Sequence, residues 1–235
     1  MTRRPPSPRL VGAMVVAATL AISAQQPVIP ALLESFVPVT PEMLRSPDPD
    51  DWISFRNGYA LWGYSSLDQI DVDSVHELQL VWSRAMNEGY QEVEPIVYDG
   101  VMFLANVEDI VQALDATTGD LLWEYRRPLP DNIAGVTGTR YRYRNVSIYG
   151  DKIVLATNDA FLVALDARTG EVVWETQRAD YNERVAQTAG PVIIDGKVVN
   201  GSRCNPNSPR PGGCFISAHD IDSGEELWRI NTAAT

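Results

Sequence analysis

"ALDATTGDLLW" (Ala113–Trp123), "ALDARTGEVVW" (Ala164–Trp174) and the looser "AHDIDSGEELW" (Ala218–Trp228) are three versions of one unit. Each places an Asp four residues before a Gly and a Trp four residues after it. The carboxylates of Asp115, Asp166 and Asp220 can accept from turn N–H groups, and Thr118, Thr169 and Ser223 can do so more weakly. Gly119, Gly170 and Gly224 take a left-handed turn position without a Cβ penalty. Trp123, Trp174 and Trp228 are then predicted to bury a large face between neighbouring units, each indole N–H finding a backbone acceptor. Their role is packing, not catalysis.

Two short apolar runs joined by a tight turn precede each copy. The turns are Asp99-Gly100 in "EPIVYDGVMFLANV", Gly150-Asp151 in "VSIYGDKIVLAT" and Asp195-Gly196 in "GPVIIDGKVVNGS". The whole unit is therefore a four-stranded antiparallel meander. Its glycines recur after 51 and 54 residues, near the period of about 40–50 that marks a four-stranded propeller blade. Trp82, in "LQLVWS", lies 41 residues before Trp123 and reads as the last strand of an earlier unit that lacks a full turn motif. The predicted fold is all-β: three to four β-propeller blades in an incomplete ring, the N-terminal part of a longer protein. A short helix is predicted at "VTPEMLRS", with Thr40 as N-cap, Pro41 in the first helical position and Glu42 in the first turn. A second is predicted at Asp73–Gln79.

The chain opens with a basic stretch (Arg3, Arg4, Arg9) and 15 uncharged residues, Leu10–Ala24, ending in small side chains. This is the layout of a secretory signal, and the run is short of the roughly 20 residues of a membrane span. The expected division is a signal peptide over 1–24, an N-terminal extension over 25–50 and the partial propeller over 51–235. Localisation is expected to be periplasmic, with no stable membrane span after cleavage. Without the signal's three arginines, 31 acidic residues face 16 basic ones, a net charge of −15. Such a surface repels phosphate backbones, so no nucleic-acid partner is expected.

Cys204 and Cys214 stand ten apart in a Pro/Gly-rich stretch. In an exported chain they predict a disulfide closing a loop, with two free thiols as the other reading. No G-x-G-x-x-G opens a helix and no βαβ alternation is present, which argues against nicotinamide chemistry. His76 is isolated, and His219 sits inside the blade motif as a packing residue.

The "ALDA-TG-W" units, the signal and the stretch "DWISFRNGYALWGYSSLDQIDVDSVHELQLVWS" together resemble the alcohol dehydrogenases dependent on pyrroloquinoline quinone (PQQ). The resemblance covers about Asp50–Thr232. It implies a periplasmic eight-bladed propeller pinned by tryptophan-docking motifs. It also implies PQQ and calcium (or another ion at the same site) as cofactors, an alcohol substrate and a cytochrome c electron acceptor. Carried over by motif, "QEVEPIV" places Glu92 at a PQQ contact. "YRNVSIYGDK" places Arg144 where an Arg pairs with PQQ carboxylates, Arg140 and Arg142 being the alternatives in register. "TAGP" places Thr188 against the quinone's polar edge, and "NGSRC" leaves Ser202 as a further PQQ contact.

Two departures stand out. The family's adjacent cysteines before that Arg are replaced by Gly138-Thr139. Its glutamate metal ligand is missing, leaving Asn205 as the only nearby oxygen donor. The family's catalytic Asp falls beyond residue 235. The alternative functional expectation is a non-catalytic propeller of the same repeat, serving as a protein-binding scaffold in the cell envelope.

Overall fold

The computed structural model describes residues 28–138, 145–187, 189–203 and 214–232, and the backbone of 142–143. The predicted signal peptide and Cys204 therefore lie outside the described residues. Strand β1 (Tyr90–Gln91) leads into the first blade, formed by β2 (Ile96–Tyr98), β3 (Val101–Asn106), β4 (Ile110–Asp115) and β5 (Leu121–Arg126). Strand β6 (Arg142–Tyr143) leads into the second, β7 (Ser147–Tyr149), β8 (Lys152–Ala156), β9 (Phe161–Asp166) and β10 (Val172–Gln177). The third comprises β11 (Val192–Ile194), β12 (Lys197–Gly201), β13 (Phe215–Asp220) and β14 (Glu226–Asn231). Each blade is a meander whose neighbours in sequence pair antiparallel.

The turn chemistry follows the repeated motif. Asp115 accepts from the N–H of Thr117 at 2.8 Å and of Thr118 at 3.2 Å. Asp166 accepts from Arg168 and Thr169, and Asp220 from Asp222 and Ser223. The Thr117 hydroxyl and N–H hold the Asp115 carboxyl below its usual range, and the Ser223 N–H and hydroxyl do the same for Asp220. The hairpin turns at Asp99-Gly100 and Asp195-Gly196 carry two positive φ values each, the geometry that matches strand twist.

The tryptophans pin successive blades. Trp123 donates its indole N–H to the Ala167 carbonyl at 2.9 Å, and Trp174 donates to Ile221 at 2.9 Å. Each ring lies on the next blade's glycine. A Cβ on Gly170 or Gly224 would stand 2.5 Å from the ring of Trp123 or Trp174. Glycine is thus required twice, for its positive φ and for the approach of the indole. Trp82 docks on Gly119 in the same way, donating to Ala116 at 3.0 Å. Its segment differs from the sequence expectation, because Leu78–Ser83 forms no ladder. Among the described residues it pairs with no strand. Trp228 departs as well: it is 39% exposed against 8% and 9% for Trp123 and Trp174. No glycine turn among the described residues stacks on it.

The N-terminal segment is packed onto the blades. Val39 bridges Gly150, Trp52 bridges Val97, and Leu33, Val39, Leu44 and Ile53 join the core with Phe103 and Ile153. Helix α1 (Pro41–Arg45) starts where expected, with the Met43 N–H donating to the Thr40 hydroxyl at 3.3 Å. The second predicted helix is one 3₁₀ turn, Val75–Glu77. Helix α2 (Ile133–Thr137), between β5 and β6, was not expected. Its five residues, rich in β-branched side chains and Gly, carry no helical signal; tertiary contacts form it instead, such as that of the Tyr181 hydroxyl with Asn132 at 3.1 Å. No helix among the described residues is long and apolar enough to cross a membrane.

Candidate functional site

A meander alternates ends. The hairpin turns and the Asp–Gly turns share one end, where Ala116 donates to Gly100, Ala167 to Asp151 and Ile221 to Gly196. The lead-in segments and the turns between second and third strands share the opposite end. There Arg127 donates its N–H to Asp109, Arg178 to Ala160 and Thr232 to Cys214. Among the described residues, the candidates carried over by motif, Glu92 and Ser202, belong to this second end.

Lateral hydrogen bonds lace the three lead-ins together. β1 and β6 pair in parallel, Tyr90 opposite Arg142 and Gln91 opposite Tyr143. Glu92, exposed, follows directly. The Glu94 N–H donates to Asn145 Oδ1 at 2.8 Å, and Glu94 Oε1 accepts from Trp52 Nε1 at 2.5 Å and from the Arg56 N–H at 2.8 Å. The Ser147 hydroxyl donates to the Pro191 carbonyl at 2.5 Å. Gly190 lies so close to the Asn145 backbone that no Cβ fits. Ser202 closes the set. Its hydroxyl donates to the Phe215 carbonyl and accepts from the Phe215 N–H, both at 3.2 Å, which fixes the end of β12 against β13. Arg144, Thr188 and Asn205 lie outside the described residues, as does Cys204, the expected partner of Cys214.

Beneath this rim runs a buried polar layer that the motif reading missed. Arg127, four residues past Trp123, pairs with Asp159 at 2.7 and 2.9 Å and with Glu175 at 3.0 Å. Burial opposes its charge, but these carboxylates override burial and raise its pKa. Asp109 is fully buried and accepts from the Asn158 N–H and Nδ2, both at 2.6 Å. Burial pushes its pKa up to about 7, aided by the nearby Asp159 charge. Arg178, four residues past Trp174, is 3% exposed. It donates to Asn200 Oδ1 and O, each at 2.6 Å, to Ser217 Oγ at 2.9 and 3.1 Å, and to Gln187 Oε1. Ser217 in turn meets His219 Nε2 at 3.0 Å, and burial lowers the His219 pKa. The signal for both arginines was present: each occupies the same place relative to a docking Trp. No group of three or more His, Cys, Asp or Glu residues among the described residues is arranged to hold a metal ion.

A three-blade meander stack pinned by tryptophans, with its lead-ins laced at one end, defines a quinoprotein-type propeller. Residues 52–235 match the model of the PQQ family, "Glucose/ethanol/alcohol dehydrogenase, beta-propeller domain", and the chain belongs to that family. It is 34% identical to the quinoprotein alcohol dehydrogenase PedH of Pseudomonas putida, over 97% of this chain and 37% of that protein. It is 35% identical to the quinoprotein ethanol dehydrogenase of Pseudomonas aeruginosa, over 76% of this chain and 29% of that protein. Among solved structures, the quinohemoprotein alcohol dehydrogenase ADHIIG of Pseudomonas putida HK5 superposes with a TM-score of 0.75 at 30% identity, covering 85% of this chain and 30% of that one. A europium-containing methanol dehydrogenase superposes at 0.72 with 26% identity, covering 80% of this chain and 33% of that one. The chain thus spans about a third of the length of these relatives.

Proposed function

We propose that this chain is the N-terminal part of a periplasmic PQQ-dependent dehydrogenase that oxidises an alcohol or polyol and passes electrons to a cytochrome c. One observation carries the reading: the lead-ins of three blades are tied side by side at one end, over the buried Arg178 guanidinium, which forms no ion pair among the described residues. PQQ carries three carboxylates, so the charge at this end fits it. Glu92, Arg144, Thr188 and Ser202 would hold PQQ, and Asn205 is the candidate metal contact. When bound, PQQ supplies a two-electron acceptor and the metal ion Lewis acidity.

The chain's own residues do the positioning. Glu92 brings a carboxylate to the exposed rim beside the end of β6. Arg144 would offer a planar fork for bidentate pairing with a carboxylate. A Cys204–Cys214 disulfide would shorten the loop that follows Ser202. The test is reconstitution of the intact apoprotein with PQQ and calcium or a lanthanide. PQQ binding by fluorescence quenching, and dye reduction across an alcohol panel, are the expected results. A correctly folded protein that does not bind PQQ overturns the proposal and leaves the envelope-scaffold role.

A further inference from the structure

Arg127 and Arg178 are equivalent by position yet opposite in chemistry. Arg127 reaches forward into the next blade and finds Asp159, in the turn between second and third strands. The corresponding connection of the third blade, 204–213, contains no Asp or Glu. Neither do the other stretches outside the described residues. Among the described residues, Arg178 donates only to neutral oxygens and forms no ion pair. Phe215 lies under its guanidinium, 4.9 Å from the ring centroid, and the Arg178 carbonyl accepts from Arg229 at 2.9 Å. A second cation thus stands beside the first. Glu226 is bound to Arg229 and not to Arg178. Burial, with help from Arg229 and against the weaker pull of Glu226, lowers the Arg178 pKa to about 10, so the group stays charged at neutral pH.

Its partners flank the candidate site. Gln187 immediately precedes Thr188. Asn200, two residues before Ser202, also donates through Nδ2 to the Ala189 carbonyl at 3.0 Å. Arg178 therefore holds Gln187 directly and Ala189 through Asn200. The Gln187 amide is further fixed by the carbonyls of Phe161 at 2.8 Å and Thr157 at 3.2 Å. A buried guanidinium loses its hydration, and neutral oxygens replace only part of it. An anionic ligand nearby would supply the rest.

We propose that Arg178 is a positioning residue that holds the chain at Gln187 and at Asn200, and through Asn200 at Ala189, and whose unpaired charge selects a carboxylate-bearing ligand at this end of the third blade. The proposal rests on the cofactor reading above and adds a residue outside the carried-over contacts. It separates geometry from charge, and so does its test. Asn200→Asp places a carboxylate against the guanidinium at an existing 2.6 Å contact, neutralising Arg178 without removing it; the lost Nδ2 donation to Ala189 weakens acid and ester binding alike and so drops out of their ratio. Arg178→Gln removes the charge outright.

The intact apoprotein is titrated by fluorescence with PQQ and with its neutral trimethyl ester, both with calcium present, and thermal unfolding is followed without ligand. Both variants are expected to lose about tenfold more affinity for the free acid than for the ester, the effect of one poorly screened charge. Equal losses for acid and ester, or no loss, overturn the proposal, because a loosened loop penalises both ligands alike. Should Arg178→Gln not fold, Asn200→Asp alone decides. Failure of the wild-type protein to bind either ligand refutes the cofactor reading instead. Wild-type binding with unchanged acid-to-ester discrimination in the variants refutes only the role of Arg178.

Discussion

The seam between the first and second blades and the seam between the second and third are alike at one end and unlike at the other. At the turn end, Trp123 on Gly170 repeats as Trp174 on Gly224, down to an indole hydrogen bond of 2.9 Å in each. At the opposite end, Arg127 meets two carboxylates and Arg178, among the described residues, meets none. Repetition is kept where it holds blades together. It is abandoned at the lead-in end, where the proposed ligand would sit, and divergence there is what a site would show and a scaffold would not.

The seams are broken most severely from the shared end. Trp123→Ala removes a buried indole and leaves the Ala167 carbonyl without its donor, at an expected cost of about 4 kcal/mol. Trp174→Ala is expected to cost nearly the same, since burial and hydrogen bond match. Urea unfolding of the two variants should give equal losses within the error of extrapolation. A large inequality would mean that the turn ends are not equivalent. The next largest effect comes from the unlike end. Asp159→Ala leaves Arg127 buried beside only the half-exposed Glu175, at an expected cost of about 3 kcal/mol. The lost stability should return in part when Arg127 is also replaced, by Met, and a double-mutant cycle reads that recovery.

Asp109 sharpens the contrast through pH. Its native pKa of about 7 lies above the ordinary carboxylate value, so the native state holds a proton that the unfolded state releases. Stability therefore falls as pH rises from about 4 and the loss is complete above about 7, opposite in sign to a salt-bridged carboxylate. The expected loss between pH 5 and pH 8 from this group is about 2.5 kcal/mol. Asp109→Asn should flatten that dependence, with the variant the more stable protein at pH 8. A variant whose urea midpoint still falls by the wild-type amount would assign the pH dependence elsewhere.

The blades were legible in the sequence because their cause is local. An Asp, a Thr or Ser and a Gly at fixed offsets make one turn, and a Trp at a fixed offset makes one dock. Period and strand order follow from repetition. The site was only partly legible. Glu92 and Ser202 are placed by motif, and both stand at the lead-in end, yet nothing local announces that the Ser202 hydroxyl bonds the Phe215 backbone. Nor does anything local announce Arg178 beneath the rim, since its five contacts come from residues 9 to 39 positions away. Burial and partner identity are long-range properties. Comparing repeats would have exposed them: Arg127 and Arg178 align, and only one has an Asp to meet.

The smallest effect belongs to the tryptophan that the repeat misjudged. Trp228 carries the same motif as Trp123 but is 39% exposed on β14, whose residues are all exposed. Docking is a property of two blades, and the motif supplies one side of it. Trp228→Ala is therefore expected to cost less than about 1 kcal/mol in this chain, as surface substitutions do. The same substitution in any longer polypeptide that lays a fourth D-x-x-T-G turn on this indole should cost as much as Trp123→Ala. Indole fluorescence gives an independent reading, because a docked Trp228 emits to the blue of an exposed one and is shielded from an aqueous quencher. A cost near 4 kcal/mol in the 235-residue chain would mean that β14 is covered in solution, and the contrast between the docked seams and this open edge would be lost.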